Sequence, residues 1–98
     1  MTVEELLASA QAGGQPGSEL SEELAALWHA KAGNWDEAHH IAQDIHTSTG
    51  SWIHALLHLI EGDVGNAGYW FRQASRPPRE VSEIDALWLE IAHELLGD

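Results

Sequence analysis

The 98-residue sequence predicts an all-α fold of six helices, and three observations support that prediction. Apolar residues recur at intervals of three and four, and no segment alternates with the period of two that a half-buried strand requires. Short breaks rich in Gly, Pro or Ser divide the chain into helical segments. The apolar share of 44%, with five tryptophans, is enough to form the core of a single domain over residues 1–98.

Local signals mark the ends of the first helix. The predicted helices cover residues 2–12, 18–32 or 21–32, 35–47, 51–61, 64–75 and 82–96. Thr2 followed by Glu5 has the spacing of a capping box, which opens the first helix. Gly and Pro at positions 13–17 end it. Residues 1–18 are therefore expected to be a short N-terminal helix, loosely attached through a flexible Gly/Pro loop.

Turn signals also separate the remaining helices. Gly33 stops the second helix, the run 47–50 breaks the chain after the third, and Gly62 follows the fourth. The fourth helix is the most apolar and is expected to be central, because its apolar residues cover more than half of its circumference. Two prolines end the fifth helix, and Ser82 with Asp85 predicts a cap for the last.

An internal repeat of 29 residues relates two parts of the chain. Each copy consists of a helix, a two-residue turn that contains Gly, and a second helix. The Ala that follows the turn allows the second helix to cross closely over the first. The matched pairs are Ala26 with Ala55, His29 with His58, Gly33 with Gly62, and Ala38 with Ala67.

Residues 20–75 resemble tetratricopeptide-like repeats in the spacing of small and aromatic residues around this turn. Gly62, Ala67, Phe71 and Ala74 match that pattern. The resemblance implies two antiparallel helical hairpins over residues 19–75, with 82–96 as a C-terminal capping helix. It also implies a scaffold for protein interaction, and it does not imply a catalytic activity.

A second resemblance covers residues 54–72, which look like part of a group of small uncharacterised bacterial and fungal proteins. The residues that carry it are His54, His58, Glu61, Gly62, Asp63, Asn66, Ala67, Tyr69, Trp70, Phe71 and Arg72. This likeness implies no function.

Composition argues against several classes of partner. A net charge of −12 disfavours nucleic acid, whose binding depends on Lys and Arg, and disfavours anionic membrane surfaces. The absence of cysteine excludes disulfides and thiolate chemistry. No window approaches roughly 18 apolar residues and no targeting signal follows Met1, so a cytoplasmic protein is expected. Arg72, Arg76 and Arg79 form either a solvated face or a receptor for one anionic group.

Seven histidines are the compositional oddity of this chain. On the fourth helix His54, His58 and Glu61 lie at i, i+4 and i+7, so their side chains share one face. Two imidazoles and a carboxylate form a half-site for Zn²⁺ or another divalent metal. His29 or His39 from an adjacent helix would complete the site.

A structural role for these histidines is the alternative. Their nitrogens would then bond to backbone carbonyls or to Glu61, and the repeat equivalence of His29 and His58 favours a packing position. His39 and His40 point about 100° apart on their helix, so they cannot both join one site.

A second set of candidate residues lies on the fifth helix. Gly65 and Gly68 each cost about 1 kcal/mol relative to Ala inside a helix, which indicates close approach of a neighbouring helix or of a ligand. The residues predicted to bind such a ligand or partner are Asn66, Tyr69, Trp70 and Arg72. Arg72 would supply a fork for a carboxylate.

Three functions follow from these patterns. The first is a protein-interaction or self-associating scaffold, without cofactor or catalytic residues, in which Leu89 and Leu96 extend an apolar patch toward a homodimer. The second is a divalent-metal-binding protein or metal-dependent hydrolase that uses His54, His58 and Glu61. The third is a pH-responsive domain, because protonation of seven histidines would remove up to seven of twelve net negative charges.

Overall fold

The computed structural model describes residues 1–97, and its secondary structure is entirely helical within that range. The all-α prediction is therefore confirmed. The helices are α1 (Val3–Ala12), α2 (Glu22–Ala32), α3 (Trp35–Gln43), α4 (Ser48–Ile60), α5 (Val64–Gln73) and α6 (Ile84–Leu96), with a 3₁₀ turn at Val81–Glu83 before α6. None of the helices described combines the length and apolar character needed to cross a bilayer.

Helix α1 is an integral part of the core. Thr2 and Glu5 form the predicted capping box, with both of its hydrogen bonds present. The inward side chains of α1 are buried, and Ser9 Oγ accepts a hydrogen bond from the indole N–H of Trp28 at 3.0 Å. The helix packs against α2 and α6. The expectation of a loosely attached N-terminal helix is therefore wrong, because its apolar face closes one side of the core.

Helix α4 lies at the centre of the domain, as its apolar circumference predicts. It packs against α3 and α5, its neighbours in sequence, and also against α2 and α6. Side chains on more than one of its faces are therefore buried, including Trp52, Ile53 and Leu56. This central position brings polar residues of α4 into the interior together with the apolar ones.

The start of α4 differs from the prediction. Residues 47–50 do not break the chain, because Thr47 caps the helix by accepting a hydrogen bond from the Gly50 N–H at 3.0 Å. Gly50 lies inside the first turn, where a Cβ atom would overlap the carbonyl oxygen of Ile45. Glycine at this position therefore permits α3 and α4 to meet at a sharp corner.

Helix α6 packs chiefly on α4 and α2 and also touches α1. The indole N–H of Trp88 donates to the carbonyl oxygen of Leu27 at 2.8 Å. The 3₁₀ turn before α6 is capped reciprocally by Glu80 and Glu83, so the predicted cap at Ser82 is wrong. Ser82 lies inside the 3₁₀ turn Val81–Glu83, so the helical segment begins before Ser82 and Glu80 takes the cap position.

Two arginines in the segment between α5 and α6 form ion pairs that hold this segment against α6. Arg76 forms an ion pair with Glu94 at 2.5 Å and lies over the ring of Trp52. Arg79 pairs with Glu83 and Glu90. These pairs neutralise the two arginines internally, so the prediction of a receptor for an external anion is not supported at either position.

Candidate metal centre

Three histidines from two helices meet beside the centre of the domain. His39 extends from α3, and His54 and His58 extend from α4. One ring nitrogen of each lies within 4.8 Å of the corresponding nitrogens of the other two. His54 and His58 are only 5% and 6% exposed, whereas His39 is partly exposed. The cluster is thus buried on the α4 side and accessible on the α3 side.

The local sequence accounts for this arrangement. His54 and His58 are four residues apart, so their rings lie one above the other, with centroids 4.8 Å apart. His39 follows Ala38, a fully buried small residue that allows α3 to pack closely on its neighbours. The His39 ring centroid lies 4.6 Å from that of His54. Of the two residues predicted to complete the site, His39 is therefore the one in position.

Two tryptophans flank the cluster. Trp35 stacks on His39 with ring centroids 4.8 Å apart, and Trp70 stacks on His54 at 3.9 Å. The indole N–H of Trp35 also donates to the carbonyl oxygen of Leu57 at 2.6 Å, which fixes that ring against α4. The tryptophans restrict the rotation of the imidazoles and so preorganise their nitrogens.

Glu61 contacts the cluster indirectly through His58. Its Oε1 lies 2.6 Å from Nδ1 of His58, and the carboxylate is partly exposed to solvent. When Nδ1 of His58 carries the proton, its N–H donates a hydrogen bond to Glu61. Nε2 is then the ring nitrogen with a free lone pair. Glu61 was predicted to bind metal directly with His54 and His58. Glu61 contacts His58 in the structure and does not belong to the group formed by His39, His54 and His58.

Burial keeps two of the imidazoles neutral. It lowers the pKa of His54 to about 4, with a further contribution from His39 and His58. Burial also lowers the pKa of His39, helped by His58 and opposed by Glu61 and Asp36. Both rings are consequently unprotonated at pH 7, which is the form that binds a metal ion.

The three rings of the cluster differ in their hydrogen bonding. Within residues 1–97 neither His39 nor His54 has a hydrogen-bond partner in the protein. The alternative in which backbone carbonyls satisfy His54 is therefore not observed. His58 does bond to Glu61, as that alternative expected, but this bond leaves its second nitrogen available.

His29 and His40 lie outside the cluster. His29 is buried, its Nδ1 lies 3.2 Å from the side-chain nitrogen of Asn34, and its ring meets Trp28 edge-on. His40 is exposed on the other side of α3. Sequence spacing alone did not distinguish His39 from His29, because both lie on helices adjacent to α4. The aromatic residue four positions before His39 is the signal that could have favoured it.

The predicted ligand-binding residues of α5 are not brought together as one site. Trp70 reaches the histidine cluster, and exposed Tyr69 contacts only the edge of Trp70 in this region. Asn66 is exposed, and its backbone N–H donates to Asp63. Arg72 is exposed and folds back along α5.

The glycines of α5 do not accommodate a close neighbour. A Cβ atom added to Gly65 would meet no atom within 4 Å, and one added to Gly68 would meet only the Arg72 guanidinium at 3.8 Å. The expectation that a neighbouring helix approaches these positions is therefore wrong. The outer face of α5 is open at both residues.

The cluster offers three imidazole nitrogens as one ligand set. Imidazole suits Zn²⁺, Cu²⁺ and Ni²⁺, and three protein ligands leave a tetrahedral ion one further position. No protein-family model matches the chain, and no curated protein or solved structure is significantly similar to it.

Proposed function

We propose that this protein binds one divalent transition-metal ion, of which Zn²⁺ is the representative, through His39, His54 and His58. The observation that carries the proposal is the convergence of three imidazoles with ligand nitrogens within 4.8 Å, two of them without a protein hydrogen-bond partner among residues 1–97. An ion would take the place of solvent at the ring nitrogens of both residues, since no buried side-chain nitrogen among the described residues lacks a partner.

The surroundings of the cluster suit such an ion. In zinc sites a ligating histidine usually donates a hydrogen bond from its other ring nitrogen to a carboxylate, and Glu61 provides that carboxylate for His58. Zn–N bonds of about 2.0–2.1 Å place tetrahedral nitrogens about 3.3 Å apart. The ligand nitrogens of the three rings, which lie within 4.8 Å of one another, would have to move to that separation when an ion binds.

The fourth coordination position of a tetrahedral ion held by three histidines determines which reactions the site could catalyse. Structural zinc sites have four protein ligands, whereas catalytic sites have three and a water molecule. A bound ion also lowers the pKa of that water, which generates hydroxide near neutral pH. A metal-dependent hydrolase is therefore the enzyme class that this ligand set would suit, and hydrolysis of an activated ester by the zinc-loaded protein tests it.

The binding proposal is tested by metal content and affinity. The untagged protein, dialysed against Zn²⁺ and then metal-free buffer, should retain about one ion per chain. Its melting temperature should fall when a chelator is added, because at 100 times Kd a ligand contributes about 2.7 kcal/mol to the free energy of unfolding. Retention of no metal, with identical unfolding in chelator, would reject the proposal.

Two neighbouring histidines of α3 provide a matched comparison. His39→Ala should abolish zinc retention, whereas His40→Ala, which removes an exposed imidazole from the next position, should leave it unchanged. Equal loss in both variants would show that zinc binds nonspecifically to surface histidines.

We further propose self-association on a different surface, between α1, α2 and α6. A cavity of about 360 Å³ there is lined by Leu7, Gln11, Lys31, Asp85 and Leu89. Lys31 and the strongly exposed Asp85 lie 3.5 Å apart beside the apolar residues. A two-fold axis through this surface would pair Lys31 of each copy with Asp85 of the other, which is the self-complementary pattern of a symmetric dimer.

The helix arrangement is consistent with a tetratricopeptide-like scaffold for this role. Helices α2 to α5 each pack on the next, and α2 also packs on α4. In such an arrangement α2 and α4 line the inner face, and α6 lies on both. A partner would therefore bind beside α6 and not in the inner groove.

Sedimentation equilibrium tests self-association. Wild type should form dimers whose population increases with salt, because a charge of −12 on each copy repels the other. Leu89→Glu should give monomers. Val64→Glu, which places the same charge at an exposed apolar residue of α5, should not change the population of dimers. A monomeric wild type at all concentrations would reject this role.

A further inference from the structure

We infer that His39 is the ligand that an acceptor displaces, so that the site passes its metal ion on by direct ligand exchange on the α3 side. The inference rests on the proposed metal binding and identifies the partner of that site, a chelating acceptor with nitrogen or thiolate donors. The ion is then cargo and not a permanent part of the protein.

The three proposed ligands differ in how firmly the protein holds them. His54 and His58 lie one turn apart on α4 and are 5% and 6% exposed. Glu61 holds the ring of His58 through its contact with Nδ1, and Trp70 stacks on His54 with ring centroids 3.9 Å apart. His39 comes from α3, is partly exposed and has no hydrogen-bond partner within residues 1–97. It is therefore the least constrained of the three.

Stacking on Trp35 keeps His39 beside α4. The two rings are nearly parallel, with 12° between their planes and centroids 4.8 Å apart. The indole N–H of Trp35 donates to the carbonyl oxygen of Leu57 at 2.6 Å, which anchors this stack to α4. The imidazole can turn within the stack without breaking a hydrogen bond. His39 can therefore leave the ion while α3 and α4 stay packed together.

Solvent reaches the ligand nitrogens that an acceptor must approach. No buried side-chain nitrogen or oxygen in the described part of the chain lacks a hydrogen-bond partner. His39 and His54 have no such partner among residues 1–97, so their ring nitrogens are accessible to water. Because the cluster is buried on the α4 side, an incoming donor arrives from the α3 side and meets His39 first.

The coordination number of the site makes this exchange direct. Three protein ligands leave a tetrahedral ion one position that an acceptor can occupy before any protein ligand departs. The acceptor donates a lone pair from nitrogen or sulfur at this position and displaces the bound water. The bond to His39 then breaks, and the imidazole leaves with its lone pair. The ion stays divalent throughout, and a thiol acceptor loses its proton to water as it becomes the thiolate ligand.

An acceptor with more donors gives the transfer its direction. Structural zinc sites surround the ion with four protein ligands, often thiolates, whereas this cluster offers three imidazoles. Once His39 has been displaced, His54 and His58 are the last protein ligands on the ion. Further donors of the acceptor then replace these two in turn.

Release of zinc from the loaded full-length protein to the chromogenic chelator pyridylazoresorcinol tests this exchange. The release rate should increase in proportion to the chelator concentration, because the chelator binds the ion before the ion leaves. A rate that does not depend on chelator concentration would overturn the inference, because release would then precede capture.

Two tryptophan variants show which ligand departs first. Trp35→Phe and Trp70→Phe each keep an aromatic ring on one proposed ligand, but only Trp35→Phe removes a hydrogen bond that anchors the ring to α4. Trp35→Phe should accelerate chelator-dependent release about tenfold, in the range seen when a group that orients a metal ligand is lost. Trp70→Phe should stay within about twofold of wild type.

Equal acceleration in the two variants, or a larger one in Trp70→Phe, would overturn the role of His39 as the first ligand to leave. The concentration dependence in wild type stands without either variant. Failure of the proposed metal site is recognised separately, because the wild-type protein then retains no zinc to release.

Discussion

The two hairpins α2–α3 and α4–α5 carry a histidine at the same position before the turn and give it different surroundings. Their backbones match: the Asn34 N–H donates to the His29 carbonyl at 2.9 Å, and the Asp63 N–H donates to the His58 carbonyl at 2.8 Å. The side-chain partners differ. His29 meets the amide of Asn34, whereas His58 meets the carboxylate of Glu61.

The second difference lies on the other side of each ring. His29 packs edge-on against Trp28, an apolar neighbour that anchors the core. His58 has two further imidazoles beside it, His54 and His39. A repeated position thus fixes the direction of a side chain but not its role. The role depends on the neighbours that other helices contribute, and the predictions below test that conclusion.

The largest effect on zinc affinity is expected when the two equivalent histidines, His29 and His58, are each replaced by Gln. His58→Gln removes a proposed ligand and should weaken zinc binding at least about 1,000-fold, beyond the roughly 10- to 100-fold cost of losing a residue that only hydrogen-bonds to a ligand. His29→Gln should stay within about twofold of wild type, because its ring lies outside the cluster. Competition titration with a chromogenic chelator measures both. Similar losses would mean that both histidines serve only packing.

The pH dependence of stability provides the next test. The pKa of His54 falls from an ordinary 6.5 to about 4 on folding, so between these values the unfolded chain binds the proton first. The free energy of unfolding of the metal-free protein is therefore unaffected by His54 above pH 6.5 and decreases below it, by about 2 kcal/mol at pH 5.

Urea unfolding at pH 7.5 and pH 5 measures this difference. His54→Phe keeps an aromatic ring against Trp70 but cannot be protonated, so its stability should change less over the same interval. An equal change in wild type and variant would assign the acid sensitivity to other groups.

Replacing either of two glycines by Ala tests whether the corner between α3 and α4 positions the proposed ligands. Gly50→Ala should destabilise the protein by about 1–2 kcal/mol, because its Cβ would overlap Ile45 at the corner between α3 and α4. It should also weaken zinc binding, since this corner positions His39 relative to His54. Gly65→Ala, in open space on α5, should stabilise by about 0.5–1 kcal/mol and leave zinc affinity unchanged.

Thermal unfolding and zinc titration of both variants check this prediction. A stabilising Gly50→Ala would show that the chain at Ile45 moves away easily. Unchanged zinc affinity in a destabilised Gly50→Ala would show that the corner does not position the ligands.

Periodicity and turn residues were sufficient to predict the helices and the central place of α4, because both depend on local sequence and on the apolar surface of each helix. The pairing of His54 with His58 was predictable for the same reason. The packing of α1 was not, because the Gly/Pro loop at residues 13–17 says nothing about what the helix before it buries. The start of α4 was missed since Gly50 was interpreted as a breaker, whereas its function is close approach to Ile45.

The composition of the candidate site was predictable only in part. Spacing on one helix grouped Glu61 with His54 and His58, yet a carboxylate three residues after His58 reaches back to that ring. His39 joins from another helix, and its selection over His29 depends on the packing angle of α3 and on the stacking of Trp35. Such angles follow from contacts distant in sequence, which helical periodicity does not contain.

The smallest effect is expected at Glu61, whose carboxylate is the side-chain partner of His58 as the amide of Asn34 is of His29. In Glu61→Gln the side-chain oxygen can still accept a hydrogen bond from Nδ1 of His58, so the tautomer and the ring orientation should persist. Only the negative charge is lost, and with it part of the strength of His58 as a ligand. Zinc affinity should therefore fall about tenfold, the smaller of the losses seen when a residue hydrogen-bonded to a metal ligand is changed.

Glu61→Ala separates charge from orientation, because it removes the hydrogen bond as well and should cost more than Glu61→Gln. The difference between the two variants measures what holding the ring contributes. If both bind zinc as tightly as wild type, Glu61 does not act through His58, and the contrast between the two hairpins would arise from His39 and His54 alone.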